Sequence, residues 1–177
     1  MKVCIVGGVA GGATAATRLR RLNEKAEIIV FERGDYISFA NCGLPYHISG
    51  AIKERAKLLL QTPEKLWTNF RVEVRLGNEV LALDPVRKRI RVANRRSGEQ
   101  YDESYDTLVL SPGASPLIPP VEGRNAPLLL TLTDIPAMDA LMARIDREHV
   151  REAVVIGGGF IGVEVAENLV ERGITTH

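Results

Sequence analysis

Residues 2–12, Lys2-Val3-Cys4-Ile5-Val6-Gly7-Gly8-Val9-Ala10-Gly11-Gly12, decide the fold. The unbroken apolar run Val3–Val6 suits a strand covered on both faces, as in a parallel sheet; a half-exposed strand would alternate with polar residues. It breaks into glycines, and Ala15, Ala16, Leu19 and Leu22 then recur at helical spacing, predicting a helix over about residues 12–23. Gly7 permits a tight turn, while Gly11 and Gly12 let helix and strand approach with free backbone N–H groups facing outward. A strand, turn and helix N-terminus of this kind cradles the pyrophosphate of a dinucleotide.

Val9 stands where the usual G-x-G-x-x-G has its second glycine, so the turn alone is a weak signal. Glu32 strengthens it. That residue closes the next apolar run, Ile28–Phe31, 25 residues beyond Gly7, where a carboxylate can accept from a ribose hydroxyl. An unbroken fingerprint follows much later. Val154-Val155-Ile156 reads as a strand leading into Gly157, Gly159 and Gly162; Ile161, Val165 and Leu169 form a helical face, and Gly173 is the expected stop. Two such units imply two dinucleotides. The chain ends at His177, before the acidic residue expected on the next strand, and the expectation is a piece of a longer protein.

Between the fingerprints lies a loop, Asp35 to Tyr46, that alternates polar and aromatic residues around Cys42. Asn41 is expected to cap a short helix beginning near Cys42, with Pro45 tolerated in its first turn, and a helix N-terminus favours thiolate over thiol. No C-x-x-C surrounds Cys42, so redox work there requires a partner brought in from outside, or a sulfenate or persulfide. Cys4, inside a strand, reads as core packing. Thr62-Pro63 predicts a helix start, with Leu66, Trp67 and Phe70 on its apolar face. From Gly77 to Tyr105 short extended runs are separated by Asp84-Pro85 and Ser97-Gly98. Val86, Ile90 and Val92 share one parity and Arg87, Arg89 and Arg91 the other, the pattern of an antiparallel meander with a wet basic face. Thr107–Leu110 is a further buried strand, stopped at Ser111-Pro112-Gly113, where glycine lets the backbone pass close to a cofactor. A proline-rich connector leads to a helix over about 134–145.

The fold class is therefore α/β: a three-layer Rossmann-like domain over 1–120 with an inserted antiparallel β-meander at about 77–105, a connector and helix over 121–149, and the start of a second Rossmann-like domain over 150–177. The formal charge is +1 with both signs mixed among 25% charged residues, and no aromatics interleave the arginine run, which argues against nucleic acid or an acidic membrane as partner. No apolar window approaches the length of a membrane span, and the opening residues already belong to a strand, so no cleaved signal is expected. Two cysteines do not make a disulfide scaffold; the expected setting is the reducing cytoplasm. No residue pattern suggests a metal site.

The motifs GGVAGG (7–12), SFANCGLPYHISG (38–50), TPEK (62–65), SYDTLVLSPGASP (104–116) and GGGFIGVE (157–164) together resemble the N-terminal part of the single-cysteine flavoprotein disulfide reductases. The likeness is to coenzyme A disulfide reductases and their rhodanese-fused relatives, the persulfide or polysulfide reductases. What the resemblance implies is FAD in the first domain, contacted by Gly7, Gly11, Gly12, Glu32, Arg33, Val80, Ser111 and Gly113, and NAD(P)H in the second at Gly157, Gly159 and Gly162. Cys42 would be the redox-active residue, with Ser38 and Asn41 shaping its loop. Arg18, Arg20 and Arg21 lie away from most of the apolar stripe of the first helix, which by itself reads as a solvated face or an anion site. The resemblance implies that Arg18, Arg21 and Lys65 sit at the phosphates of coenzyme A, the substrate or co-substrate. The implied activity is FAD-dependent NAD(P)H:disulfide oxidoreduction of coenzyme A disulfide, persulfide or polysulfide by a homodimer, the isolated 177 residues being expected not to turn over. An NADH oxidase of the same superfamily and a noncatalytic flavin- or nucleotide-binding module stay open. Related peroxidases and water-forming oxidases carry histidine at the position of Ala10, which here offers no hydrogen bond to an oxygen species.

Overall fold

The computed structural model describes residues 1–177. In chain order the elements are β1 (Lys2–Val6), α1 (Ala10–Leu22), β2 (Glu27–Glu32), α2 (Leu44–Ser49), α3 (Pro63–Phe70), β3 (Glu73–Leu76), β4 (Asn78–Asp84), β5 (Arg89–Asn94), β6 (Gln100–Ser104), β7 (Thr107–Leu110), α4 (Ile135–Glu148), β8 (Glu152–Ala153), α5 (Phe160–Glu171) and β9 (Thr175–Thr176). Short 3-10 turns occupy Asn41–Gly43 and Arg55–Leu58. The architecture is α/β and Rossmann-like, with a parallel core sheet and an antiparallel meander set into it. Two compact units are distinguished: Met1–Phe39 with Leu59–Gly113, and Ala40–Leu58 with Ala114–His177. Residues 40–58, assigned from sequence to the first domain, thus cluster with the later part of the chain.

In the first unit the parallel sheet has the order β3-β2-β1-β7, with Cys4 opposite Ile29 on one side and Leu108 on the other. Period-2 alternation divides its side chains between two cores. Val3, Ile5, Ile28 and Val30 pack with Ala16 of α1 and Leu66 of α3. Cys4, Ile29 and Phe31 pack with Ile90, Val92 and Tyr105 of the meander region. Both faces of β1 are therefore covered, which is why its sequence is apolar throughout, and each such aliphatic side chain contributes about 1.5–3 kcal/mol on burial. Helix α3 begins as its sequence predicts, with Thr62 Oγ1 accepting the Lys65 N–H at 3.3 Å ahead of Pro63. Trp67 departs from expectation. Its ring is half exposed, with the Arg71 guanidinium 5.5 Å from its centroid, and Leu66 carries the packing.

The meander runs β4-β5-β6, with Ile90 and Val92 buried and Arg89 and Arg91 outward. Val86 does not share their face as its parity suggested; it is 94% exposed. The Asp84 carboxylate accepts the Arg87 N–H at 2.9 Å and Lys88 adopts φ 51°, so residues 85–88 form the turn and the strand starts at Arg89. A side-chain-capped turn outcompetes strand pairing at that point.

The second unit is held by Ile48, Ile145, Leu169 and Ile174. Helix α4 is capped by Asp134, which accepts the Ala137 N–H at 2.8 Å, and it extends past the expected end to Glu148. The strand expected at 154–156 is placed earlier: β8 pairs β9 through Glu152 and Ala153, with flanking bonds from Thr175 N–H to the Arg151 carbonyl at 2.9 Å, His177 N–H to the Ala153 carbonyl at 3.0 Å and Val155 N–H to the His177 carbonyl at 2.8 Å. Val154 and Ile156 stay 70% and 83% exposed. A two-stranded ladder pairs backbone groups but supplies few neighbours to cover side chains.

Candidate functional site

Strand β1 lies between β2 and β7, so the chain leaves it first to one side of the sheet and later to the other. That reversal is the switch point at which open parallel sheets receive ligands, beyond their carboxyl ends. Gly7, at φ 91°, turns the chain there; a Cβ on it would lie 2.0 Å from the Ser111 carbonyl oxygen. One on Gly12 would lie 1.8 Å from the Gly7 carbonyl oxygen, and one on Gly11 2.4 Å from Ser111 Oγ. Gly7, Gly11, Gly12 and Ser111 are thereby brought together around the N-terminus of α1, whose first-turn N–H groups have no intrahelical acceptors.

Glu32 at the end of β2 is buried and completes the cradle. Its carboxylate oxygens accept the N–H of Gly8 and of Gly34, each at 2.8 Å. An ionised carboxylate has about four acceptor sites, so capacity remains for ligand hydroxyls. Gly8 was passed over in the sequence, though the doubled glycine was its signal: a Cβ there would meet Ile37 Cγ2 at 2.7 Å. Gly113 adopts φ 73° with open space where a side chain would begin. Val80 packs at the edge of the Phe31 core, and Arg33 is exposed just past Glu32. Ser38, a non-glycine residue at φ 43°, donates its N–H to the Gly8 carbonyl at 2.9 Å and accepts the Leu60 N–H at 3.0 Å. At Gly7, Gly8, Gly11 and Gly12 the close approach is to the chain's own atoms and leaves no room for a side chain, so backbone alone lines this turn.

Arg18, Arg21 and Lys65 are exposed on the neighbouring helices α1 and α3, with the Arg21 guanidinium 6.0 Å from the Phe70 ring centroid. Arg20, read with them as a solvated face, instead turns inward, donating to the carbonyls of Phe70 at 2.7 Å and Arg71 at 3.0 Å. It ties the end of α1 to the end of α3.

In the second unit Cys42 is exposed within the 3-10 turn ahead of α2. Asn41 does not cap the following helix as expected. The N-cap positions are Ala40 for the turn and Gly43 for α2, and neither forms a side-chain cap bond; Pro45 does fall in the first turn of α2. Gly43 is fixed by contact, because a Cβ there would lie 2.9 Å from Leu58 Cδ2. Cys4 is the opposite case. It has no exposed surface, and burial, reinforced by the Glu103 charge, pushes its thiol up to about 11.

The second glycine turn repeats the close approach of the first. Gly157 adopts φ 110°, and a Cβ on Gly162 would sit 2.1 Å from its carbonyl oxygen. A Cβ on Gly159, just ahead of α5, would meet open space. Polar links that sequence reading missed fix α2 on this fold, Ser49 to Asn168 and Arg172 to the Ile48 carbonyl, while Arg55 ties the second 3-10 turn to Asp139 of α4. No group of three or more His, Cys, Asp or Glu side chains converges on a metal position, and no helix is long and apolar enough to cross a membrane.

A family model described as pyridine nucleotide-disulphide oxidoreductase matches residues 1–177. A coenzyme A disulfide reductase from Staphylococcus aureus (strain JH9) is 42% identical over 173 residues, 98% of this chain and 39% of that protein. Among solved structures, reduced CoADR-RHD from Bacillus anthracis aligns with a TM-score of 0.96 at 53% identity, covering 99% of this chain and 32% of its own. A NAD-dependent persulfide reductase from A. fulgidus aligns with a TM-score of 0.94 at 34% identity, covering 99% and 32%. The chain thus spans about two fifths of the length of the curated relatives it matches, 39% for the S. aureus protein.

Proposed function

The chain belongs to the pyridine nucleotide-disulphide oxidoreductase family, and from that premise we propose that it provides the flavin cradle, the redox cysteine and the first pyridine-nucleotide turn of an FAD-dependent NAD(P)H:disulfide oxidoreductase. The substrate is coenzyme A disulfide, or a coenzyme A persulfide or polysulfide. The observation that carries this reading is the contrast between the two thiols: Cys42 is exposed while Cys4 is buried. Cys42 has no cysteine near it in sequence and Cys4 is buried, which supports a resolving sulfur supplied by the substrate.

FAD fits the turn at Gly7, Gly11 and Gly12, with Glu32 placed for its ribose and Arg33, Val80, Ser111 and Gly113 around it; NAD(P)H fits Gly157, Gly159 and Gly162. Bound there, FAD would supply the two-electron couple that links NAD(P)H to a disulfide. The work of the protein's own residues is separate. The Cys42 thiolate attacks one sulfur of the coenzyme A disulfide, forms Cys42–S–S–CoA and releases one coenzyme A thiolate. Arg18, Arg21 and Lys65 provide cationic donors for phosphate groups, and Ser38 and Asn41 set the loop from which Cys42 acts. Action in the cytoplasm as a homodimer, which the family resemblance implies, is part of the proposal.

Mixing the chain with coenzyme A disulfide under anaerobic conditions tests the reading. The expected result is release of one coenzyme A thiolate per chain and a mixed disulfide mapped to Cys42, both absent in Cys42→Ser. Slower reaction in Arg18→Glu and Lys65→Glu, with unchanged reaction toward an uncharged disulfide, assigns the phosphate contacts. No release from the unsubstituted chain rejects the assignment. The water-forming NADH oxidase from Lactobacillus brevis shares the fold at 31% identity and a TM-score of 0.92. The methyl group of Ala10, exposed at the start of α1, favours the disulfide reading over the oxidase.

A further inference from the structure

Helix α2, which follows Cys42 directly, has only the residues Leu44–Ser49. So short a helix does not hold its own position in water; its placement comes from what it packs against. Ile48 supplies the apolar contact, in a buried cluster with Ile145, Leu169 and Ile174. Two polar contacts come from the last turn of α5 and its C-cap residue Arg172. The Asn168 side chain, 1% exposed, accepts the Ser49 hydroxyl at 2.6 Å and donates to the Glu164 carbonyl at 2.8 Å. The Arg172 guanidinium donates to the Ile48 carbonyl and pairs with Asp146, each at 2.5 Å. A buried amide on an otherwise apolar helix face is costly unless both its ends are bonded, and here one end is bonded only because α2 is docked.

We infer that Asn168 and Arg172, on the helix opened by the second glycine turn, are positioning residues for Cys42: they lock the last turn of α2 and thereby fix the thiol ahead of its first turn. The inference rests on the reading of Cys42 as the redox residue. The link it describes is mechanical. Asn168 bonds the side chain of the last residue of α2 and Arg172 bonds the carbonyl before it, so the two contacts restrain the helix against both fraying and rotation. The same α5 helix begins where a pyridine nucleotide is expected to dock, which makes one rigid element common to both groups that the proposed chemistry must coordinate.

The test is a nitroxide attached to Cys42 on the 177-residue chain, read by electron paramagnetic resonance, with Cys4 shielded by burial and the labelled position verified by peptide mass. Asn168→Leu and Arg172→Leu are each expected to raise the mobile fraction of the spectrum about tenfold, as loss of one hydrogen bond to a charged or buried partner would. Arg172→Lys, which keeps a donor for the Ile48 carbonyl, is expected to stay near the unsubstituted spectrum. Ser49→Ala, at the surface of α2, gives a smaller rise in the same direction and serves if Asn168→Leu does not fold. Asp134→Ala removes the α4 cap without touching either contact, and is expected to leave the spectrum unchanged. Unchanged spectra in both leucine variants, or an equal rise in Asp134→Ala, overturn the inference. Because label mobility is read without turnover, the result stands apart from whether Cys42 performs the proposed disulfide exchange.

Discussion

The Glu32 carboxylate, at the end of β2, accepts the Gly8 N–H of the glycine turn at 2.8 Å. One acidic side chain therefore braces the turn of its own fold before any ribose arrives. Glu32→Ala is expected to lose both the Gly8 and Gly34 bonds, at about 1.5–3 kcal/mol for each charge-assisted contact less what water recovers. Flavin titrations followed by fluorescence quenching should then show FAD affinity at least tenfold weaker. Equal affinity in the variant would mean that Glu32 has no part in the cradle.

Gly12 and Gly11 separate backbone from side-chain crowding. A Cβ at residue 12 meets the Gly7 carbonyl oxygen at 1.8 Å, and neither backbone can yield, so Gly12→Ala is expected to abolish FAD binding and cost about 4 kcal/mol or more of stability. A Cβ at residue 11 meets only Ser111 Oγ, at 2.4 Å. Gly11→Ala combined with Ser111→Ala should therefore be milder than Gly11→Ala alone, a non-additivity that chemical denaturation of the two single variants and the double variant would measure. Strict additivity would place the conflict elsewhere.

The sequence was most legible where one residue type answers one local demand. The apolar run at Val3–Val6, the glycines at 7, 11 and 12, and the Thr62-Pro63 helix start each carry their reason within a few residues, and each is found in place. Contacts between distant residues were not legible. Ser49 and Asn168 are 119 positions apart, and nothing in the local pattern of either marks the bond. Arg20 looked like a surface cation because its helical angle is outward; its length lets it fold back onto the carbonyls of Phe70 and Arg71. Val86 was misread because parity extends a strand on paper, whereas Asp84 ends it by bonding the Arg87 N–H. Asn41 has the right side chain for a cap but not the position, since the 3-10 turn moves the start of α2 to Leu44.

Glu103 gives the first unit an acid limit. Burial would raise its carboxyl, but hydrogen bonds from Lys2 at 2.6 Å and Arg75 at 2.5 Å outweigh that and hold it below the usual glutamate value. A depressed folded-state value means stability that is complete above the unfolded value of about 4.3 and is lost as pH falls through the folded one. Urea midpoints are expected to drop more steeply below about pH 4 in the unsubstituted chain than in Glu103→Gln, which is less stable at neutral pH but lacks this proton uptake. Parallel slopes for the two would show that the Lys2 and Arg75 contacts do not favour the charged form.

The two cysteines are expected to differ in reactivity by their surroundings. Cys42 is exposed, whereas the Cys4 thiol has no accessible surface and is pushed up to about 11. A chromogenic disulfide reagent at about pH 8, below the usual free-thiol value, should therefore count one thiol in the folded chain and a second only on unfolding. Cys42→Ser should leave the folded chain unreactive. A fast second equivalent without unfolding would mean that β1 opens far more readily than a strand covered on both faces should.

Ser38 allows the backbone and the hydroxyl of one residue to be judged apart. It holds φ 43° while its N–H bonds the Gly8 carbonyl and its own carbonyl takes the Leu60 N–H, so the strained conformation is fixed from both sides. A non-glycine residue in this region costs about 1–3 kcal/mol. Ser38→Gly relieves that cost but gives the unfolded chain about 0.4–1 kcal/mol more conformational freedom, so the net change in stability is expected to be small and favourable or near zero. Ser38→Val, branched at Cβ, is expected to lose about 2 kcal/mol, because the backbone bonds hold the residue where its side chain is least tolerated. Denaturation midpoints decide this, and a valine variant as stable as the unsubstituted chain would show that the loop relaxes out of the left-handed region. The rate of coenzyme A release in Ser38→Ala then reads the hydroxyl, since alanine keeps Cβ and its restraint on the backbone: a rate that falls while stability holds assigns the Ser38 side chain to the chemistry of the loop, and an unchanged rate confines the residue to shaping the backbone.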